Sequence, residues 1–334
     1  MILNKSVQQK ILLFIPGGKG IYGSALLKEL QSRGLVTYVY DERPSKSFVS
    51  KSVIRFLKPV SILFTKRYFR KIIKTHTQSP PDLILVIRGE AFSPAIMADF
   101  RKNFPKAYLI LYLWDSIRYT DTRKIHLCFD KVLSFDSEDV RRYRYLKFRP
   151  LFFINSYNRF SNSNNREFDI VFIGKIHSDR YQFLKAIKVK AIEENLRVYY
   201  YMYLPSRIHF YIKKIFTSTL KKAKISEFHF RMMPANEVAD YISKTNACVD
   251  TQHPYQSGLT MRTIETLGAK RKLITTNGYI REYDFYNPNN ISIIDLKNPI
   301  LDIHMLKTQY LNIDDNIYKN YTLERWLDDV LKKE

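Results

Sequence analysis

Short apolar runs recur along this chain of 334 residues, and helical patterns separate them. ILLFI (11–15), LVTYVYD (35–41), PPDLILVIRG (80–89), KAYLILYLWD (106–115) and DKVLSFD (130–136) fill the first half. DIVFIG (169–174), RVYYYMY (197–203), ACVDT (247–251), KLITTN (272–277) and ISIID (291–295) fill the second. Runs apolar on both faces, with helices between them, specify parallel strands covered on two sides. Helix signals agree: Ser93 and Pro94 open one helix, Ser137 is the expected cap of another, and Gly34 stops the first. The most polar stretch without period, NSYNRFSNSNNREFD (155–169), reads as a linker. The expected organisation is an α/β chain of two Rossmann-like domains, 1–155 and 168–318, with a terminal helix in 319–334. Ligands of such folds bind beyond the carboxyl ends of the strands, which makes every loop after a strand a candidate.

The clearest such loop lies in DTQHPYQSGLTMRTIETLGAKRKLITTN (250–277). A strand ends near Thr251. A loop with His253, Ser257 and Gly258 leads through Leu259 and Thr260 into a helix. The N–H groups and dipole at a helix start attract anions. Arg262 in that first turn opposes the dipole unless it faces a bound anion. Glu265, three residues on, is placed to accept hydrogen bonds from a sugar diol. The alternative is an ordinary Arg–Glu surface pair.

This segment resembles the donor-binding region of GT-B glycosyltransferases, especially bacterial enzymes that build lipopolysaccharide or capsule. The likeness rests on GL-x-x-R-x-x-E-x-L followed by LITTN, here Gly258, Leu259, Arg262, Glu265, Leu267 and 273–277. It extends to DIVFIGKIHSDR, with Lys175 and Arg180 where the family places cations for a diphosphate, and to LILYLWDS in the first half. The resemblance implies a GT-B fold with its two domains facing across a cleft. It implies hexosyl transfer from a nucleotide sugar to a lipid-linked or growing surface glycan, without a metal and with no cofactor beyond the donor itself. Lys175, Arg180, His253, Ser257, Gly258, Leu259, Thr260, Arg262 and Glu265 would bind the donor. Many retaining members carry two glutamates with seven residues between them; Ser257 stands where the first would be. Asp115, ending the longest apolar run of the first half, reads either as general base or as a turn cap. His177 reads as a further candidate donor contact beside His253.

A second motif competes. IPGGKGIYGSALLKEL (15–30) spells G-x-G-x-x-G at Gly18, Gly20 and Gly23, with Asp41 closing the next run. That is the dinucleotide fingerprint and supports, as an alternative, an NAD-dependent oxidoreductase. The GT-B reading instead gives these glycines to acceptor or phosphate contact.

The formal net charge is +23. Arg43, Lys46, Lys51, Arg55, Lys58, Lys66, Arg67, Arg70, Lys71 and Lys74 run without an acid, among apolar residues. A second basic stretch, Lys185 to Lys224, includes PSRIHFYIKKIFTSTLKKAK. Both suit an anionic membrane surface, or solvated faces over a core. Nucleic acid is not expected, because no zinc-finger, RNP or basic-zipper pattern occurs. A protein that only binds membranes or polyanions is the third reading. No run approaches the roughly 20 apolar residues of a membrane span, and no secretory signal precedes ILLFI. Cys128 and Cys248 read as reduced thiols. The expected location is cytoplasmic, peripheral on the inner face of the plasma membrane.

Overall fold

A computed structural model describes residues 8–43, 58–158, 166–176 and 180–333, with backbone alone at 58–62. His177 and the basic positions 44–57 lie outside them. The chain forms two compact units: 1–150 together with 326–334, and 151–325.

The first unit carries six strands: β1 (Lys10–Ile15), β2 (Val36–Asp41), β3 (Leu83–Ile87), β4 (Tyr108–Leu113), β5 (Lys131–Ser134) and β6 (Lys147–Phe148). All pair in parallel, in the order β2-β1-β3-β4-β5-β6. The chain winds one way from β1 to β2 and the other way from β3 onward, so the direction reverses between β1 and β3. Every residue of β3 is buried, as a strand covered on both faces requires. The helices α1 (Ile21–Ser32), α2 (Lys58–His76) and α3 (Pro94–Asn103) supply the cover. Phe14 of β1 meets Phe92 and Phe100 edge-on, with ring centroids 5.3 and 5.7 Å apart, and Phe69 closes on Phe92 at 4.5 Å. Ser93 caps α3 as expected, accepting from Ile96 N. Before the helix Ser137–Arg142 the cap is Asp136 instead of Ser137; its carboxylate accepts from the N–H groups of Glu138 and Asp139. One carboxylate oxygen thereby satisfies two orphan donors, and its negative charge at the helix start is favoured by the dipole.

The second unit repeats the plan with β7 (Phe168–Lys175), β8 (Val198–Tyr203), β9 (Phe228–His229), β10 (Thr245–Asp250), β11 (Lys272–Thr275) and β12 (Ile291–Ile293). Their order is β12-β11-β10-β7-β8-β9, again all parallel. Counted within the unit this is the 3-2-1-4-5-6 winding of mononucleotide-binding sheets, with its switch point between β7 and β10. Here α4 (Arg180–Glu193), α5 (Arg207–Phe216), α6 (Ala235–Ser243) and α7 (Met261–Gly268) connect the strands.

The polar stretch read as a linker holds more than a connection. Asn155–Asn158 is a helical turn within the second unit, and its Tyr157 is buried. The last helix, α8 (Leu323–Leu331), returns to the first unit from Trp326 onward. There Trp326 stands edge-on to Tyr112 at 4.7 Å, and Lys131 Nζ donates to the carbonyls of Asp329 and Lys332. Arg149 pairs with Asp329 at 2.9 Å.

Candidate active site

The loop after β10 and the start of α7 are built around Asp250. Its Oδ2 accepts from the hydroxyls of Thr260 (2.6 Å) and Thr263 (2.8 Å), and Thr260 in turn accepts from Thr263 N as the helix cap. The last residue of the strand thus fixes the first turn of the helix. Asn277, beyond β11, donates to the carbonyls of Ser257 (3.0 Å) and Gly258 (3.4 Å) and holds the loop from the other side. Leu259 is buried and anchors the turn.

Arg180, at the start of α4, bridges the two strand ends at the switch point. Nη1 donates to Lys175 O at the end of β7 (2.9 Å) and Nη2 to Thr251 O just beyond β10 (2.8 Å). Its guanidinium also lies 5.9 Å from the Phe172 ring centroid. Burial lowers its pKa, with Asp250 nearby acting in the opposite direction. A cavity of about 280 Å³ opens here, lined among others by Gly174, Arg180, Thr251, His253, Thr260 and Arg262. It combines a capped helix start, two arginines and a polar rim at the carboxyl ends of adjacent strands, the physical makings of an anion site.

Glu265 lies one turn behind the cavity and is not part of its wall. It is only 4% exposed, and Oε2 pairs with Arg262 Nη1 at 2.7 Å. The buried Tyr157 hydroxyl hydrogen-bonds with both Glu265 and Arg262, and burial together with the Glu265 charge pushes its pKa up. Arg262 Nη2 reaches the Ile173 carbonyl at 3.4 Å. Arg262 is therefore oriented from behind by a buried carboxylate and a phenol while its flank faces the cavity. Lys175 is exposed at the end of β7.

In the first unit the glycine loop follows β1. Gly17 and Gly18 take φ of +80° and +55°. A Cβ on Gly23 would fall 1.9 Å from Gly18 O, so α1 lies on its own leading loop and the third glycine is obligatory. Asp41 Oδ1 accepts from Gly17 N (3.2 Å) and Arg43 N (3.1 Å). The carboxylate that hydride-transfer chemistry would assign to a ribose instead closes this loop, and the oxidoreductase alternative finds no support here. Gly20 caps α1 without a side-chain bond. Tyr22, just past it, meets Trp114 edge-on at 5.5 Å, which brings the glycine loop beside the loop of Asp115.

Asp115 is held at 2.6 Å by Arg88 Nε and accepts from Thr120 Oγ1 at 3.4 Å. Arg88 also pairs with Glu90 at 2.9 Å and sits at φ +80° with Gly89 at the same angle, a left-handed turn directly after β3. Glu42 supports that turn: Oε2 accepts from Gly89 N (2.9 Å) and Glu90 N (3.1 Å). Burial raises the Glu42 pKa to about 8, against the opposing pull of Arg88 and Arg43. Sequence reasoning passed over Glu42, Arg88, Tyr157, Asp250 and Asn277. Glu42, Arg88, Asp250 and Asn277 do sit at or just past strand ends, the one signal that marks them; Tyr157 has none.

No protein-family model matches the sequence, and no curated protein does. Solved structures do match in fold. Anabaena Alr3699/HepE, determined in complex with UDP and glucose, superposes with a TM-score of 0.60 at 10% identity, over 97% of this chain and 98% of that one. The UDP-forming α,α-trehalose-phosphate synthase of Burkholderia vietnamiensis gives 0.58 at 10%, over 97% and 98%. The lipopolysaccharide outer core galactosyltransferase WaaB gives 0.55 at 11%, over 96% and 98%. At such identities the likeness is one of fold: two parallel six-stranded α/β sheets arranged along the chain as in GT-B glycosyltransferases.

Proposed function

We propose that this protein is a glycosyltransferase that takes a sugar from a nucleotide-sugar donor. The observation that carries the reading is the β7/β10 switch point, where Arg180, Arg262 and the N-terminus of α7 converge on one cavity. In transfer, the bond from the anomeric carbon to the diphosphate oxygen breaks, and a bond to an acceptor hydroxyl oxygen forms. Negative charge grows on the departing diphosphate. Donors already fixed in place stabilise that charge more than they stabilise the intact donor, which is the source of rate. Arg262, held by Glu265 and Tyr157, is such a donor. Lys175 and Arg180 add positive field, while His253, Ser257, Gly258, Leu259 and Thr260 shape the loop around the nucleotide. Glu265, expected from the sequence to grip the ribose diol, stands behind the cavity wall, and we assign its part in donor binding to its hold on Arg262.

The acceptor proton must go to a base. In an inverting reaction Asp115 takes that role, with Arg88 setting its position. Gly18, Gly20 and Gly23 are assigned to acceptor or phosphate contact. The acceptor we favour is a lipid-linked or growing surface glycan, a hexose being the transferred unit, with the enzyme working at the inner face of the plasma membrane without a metal. No described helix is long and apolar enough to cross a bilayer, so a lipid-linked acceptor would be met from the water side.

A thermal-shift screen against UDP, GDP, CMP and TDP sugars tests the donor. One of them should raise the melting temperature, and Arg262→Ala should lower transfer by on the order of 10²–10³-fold. No response to any sugar nucleotide, or full activity of the variant, would remove the assignment.

A further inference from the structure

Ser206 caps α5, its hydroxyl accepting from His209 N at 3.1 Å. Within the helix only Phe210 is buried, where it packs on Phe228 with ring centroids 5.2 Å apart. The outward side is apolar as well. Ile208 is 73% exposed, Ile215 71% and Phe216 83%, with Tyr211 and Ile212 about half exposed beside them. Positions 208, 211, 212 and 215 follow helical spacing and form one stripe along a helix about 15 Å long. A surface helix ordinarily turns its apolar stripe to the core and a polar one to water. Here five large side chains form a contiguous apolar face in solvent, the mark of an interaction surface.

Charge identifies the partner. From Leu204 to Ser226 there is no acid, while Arg207, Lys213, Lys214, Lys221, Lys222 and Lys224 are all cations. Arg207, Lys221, Lys222 and Lys224 are exposed. A second copy docking through this face would bring the same cations against one another, since a twofold contact presents the same patch twice. A nucleic acid would meet the cations and leave five apolar side chains in water. An anionic bilayer surface satisfies both, with acyl chains for the stripe and headgroups for the lysines.

The helix also stands at the functional end of its sheet. Lys213 Nζ donates to Ile176 O, just beyond β7, at 3.4 Å. Burial lowers the proton affinity of both His209 and Lys213, and the nearby charge of Lys175 adds to the effect on each. We propose that α5 lies in the interface of an anionic membrane, with Ile208, Tyr211, Ile212, Ile215 and Phe216 inserted among the lipids and the flanking lysines on their headgroups. The docking stands on its own; that it presents a donor site to a lipid-linked acceptor rests on the transfer reading above.

The test is co-sedimentation of the full chain with phosphatidylcholine vesicles, and with vesicles carrying roughly 30% phosphatidylglycerol, at low and high salt. The wild type should bind the anionic vesicles and release them as salt rises. Ile208→Gln/Ile215→Gln/Phe216→Gln, changes confined to solvent-facing positions, should weaken binding at least about tenfold. Lys221→Gln/Lys222→Gln/Lys224→Gln should cost about fivefold per lysine and flatten the salt dependence. Equal binding to neutral and anionic vesicles, or unchanged binding by the apolar variant, would overturn the proposal. So would a wild-type dimer in solution that the apolar variant converts to monomer. Melting shifts with UDP on the same samples separate the two readings: vesicle binding without any nucleotide response removes the transfer reading and leaves the docking, and the reverse outcome does the opposite.

Discussion

Around its switch point, at the ends of β2, β3 and β4, the first unit gathers carboxylates, whereas at the ends of β7 and β10 the second gathers cations. Glu42, Glu90 and Asp115 share Arg88 and the backbone N–H groups of the left-handed turn after β3, and Asp41 takes the Gly17 N–H of the glycine loop. Arg180 and Arg262 flank a helix start where Asp250 bonds the threonine hydroxyls and Glu265 pairs with Arg262. Both places are the point where a parallel sheet reverses its winding. The fold selects where a ligand sits, and the residues at the strand ends select its charge. On the transfer reading proposed above, the second switch point is the place for the diphosphate. The first suits neutral hydroxyls and the handling of a proton.

The largest effect that would sharpen this contrast is the pH response of Glu42. Its pKa is about 8 in the folded chain, against an ordinary 4.5. Below 4.5 it is protonated in both folded and unfolded states. Between 4.5 and 8 the unfolded chain loses the proton while the folded chain keeps it, so stability falls as pH rises and levels off above 8. The full span corresponds to on the order of 5 kcal/mol. Glu42→Gln keeps an oxygen for Gly89 N and Glu90 N but does not titrate. Urea denaturation from pH 5 to 8 should show the variant gaining on the wild type through this window. Parallel curves would mean that Glu42 is ionised in place and that the first switch point is as charged as the second.

Next comes Glu265→Ala. It leaves the Arg262 guanidinium half-buried with its carboxylate partner gone, a change worth about 3–5 kcal/mol for a buried pair. Transfer should fall with it, because Arg262 loses its orientation. Glu265→Gln retains the hydrogen bond and should keep most of the stability while losing activity. If the alanine variant melts like the wild type, the pair behaves as a surface contact and the cationic switch point is not pre-organised.

How far these sites were legible differs between them for a physical reason. The alternation of apolar runs and helical patterns fixed both sheets, since only parallel strands bury runs such as LILVI on two faces. The same alternation is compatible with either winding, so the orders β2-β1-β3 and β10-β7-β8 were not readable. Arg262 and Glu265 were readable because three-residue spacing on a helix forces them together. Tyr157 was not, because one aromatic in NSYN carries no period to betray its burial. Amphipathy of α5 was plain in RIHFYIKKIF, yet the sequence does not tell which apolar side chains stay in water.

Gly23→Ala is a smaller effect, confined to the first unit. Its methyl would stand 1.9 Å from Gly18 O, so α1 or its loop must shift, at about 1–3 kcal/mol. The shift would move Tyr22 against Trp114 and should be visible as a change in tryptophan fluorescence.

The smallest effect tests how each helix start is held. Gly20 begins α1 with no side-chain bond, while Thr260 begins α7 with its hydroxyl between Asp250 and Thr263 N. Thr260→Ala removes that cap and should cost about 1 kcal/mol in denaturant. Asp250 then keeps only the Thr263 hydroxyl. The loop from Thr251 to Leu259 then loses its tie at the helix start, while Arg180 on Thr251 O, Thr276 on Gln252 N and Asn277 on Ser257 O still hold it. Nucleotide affinity should therefore fall by more than the stability does, because the N–H groups of the first turn must be ordered again when the ligand binds. Equal losses in stability and in affinity would show that the loop is set by Arg180, Thr276 and Asn277, and that the two switch points share a helix start ordered without help from its cap.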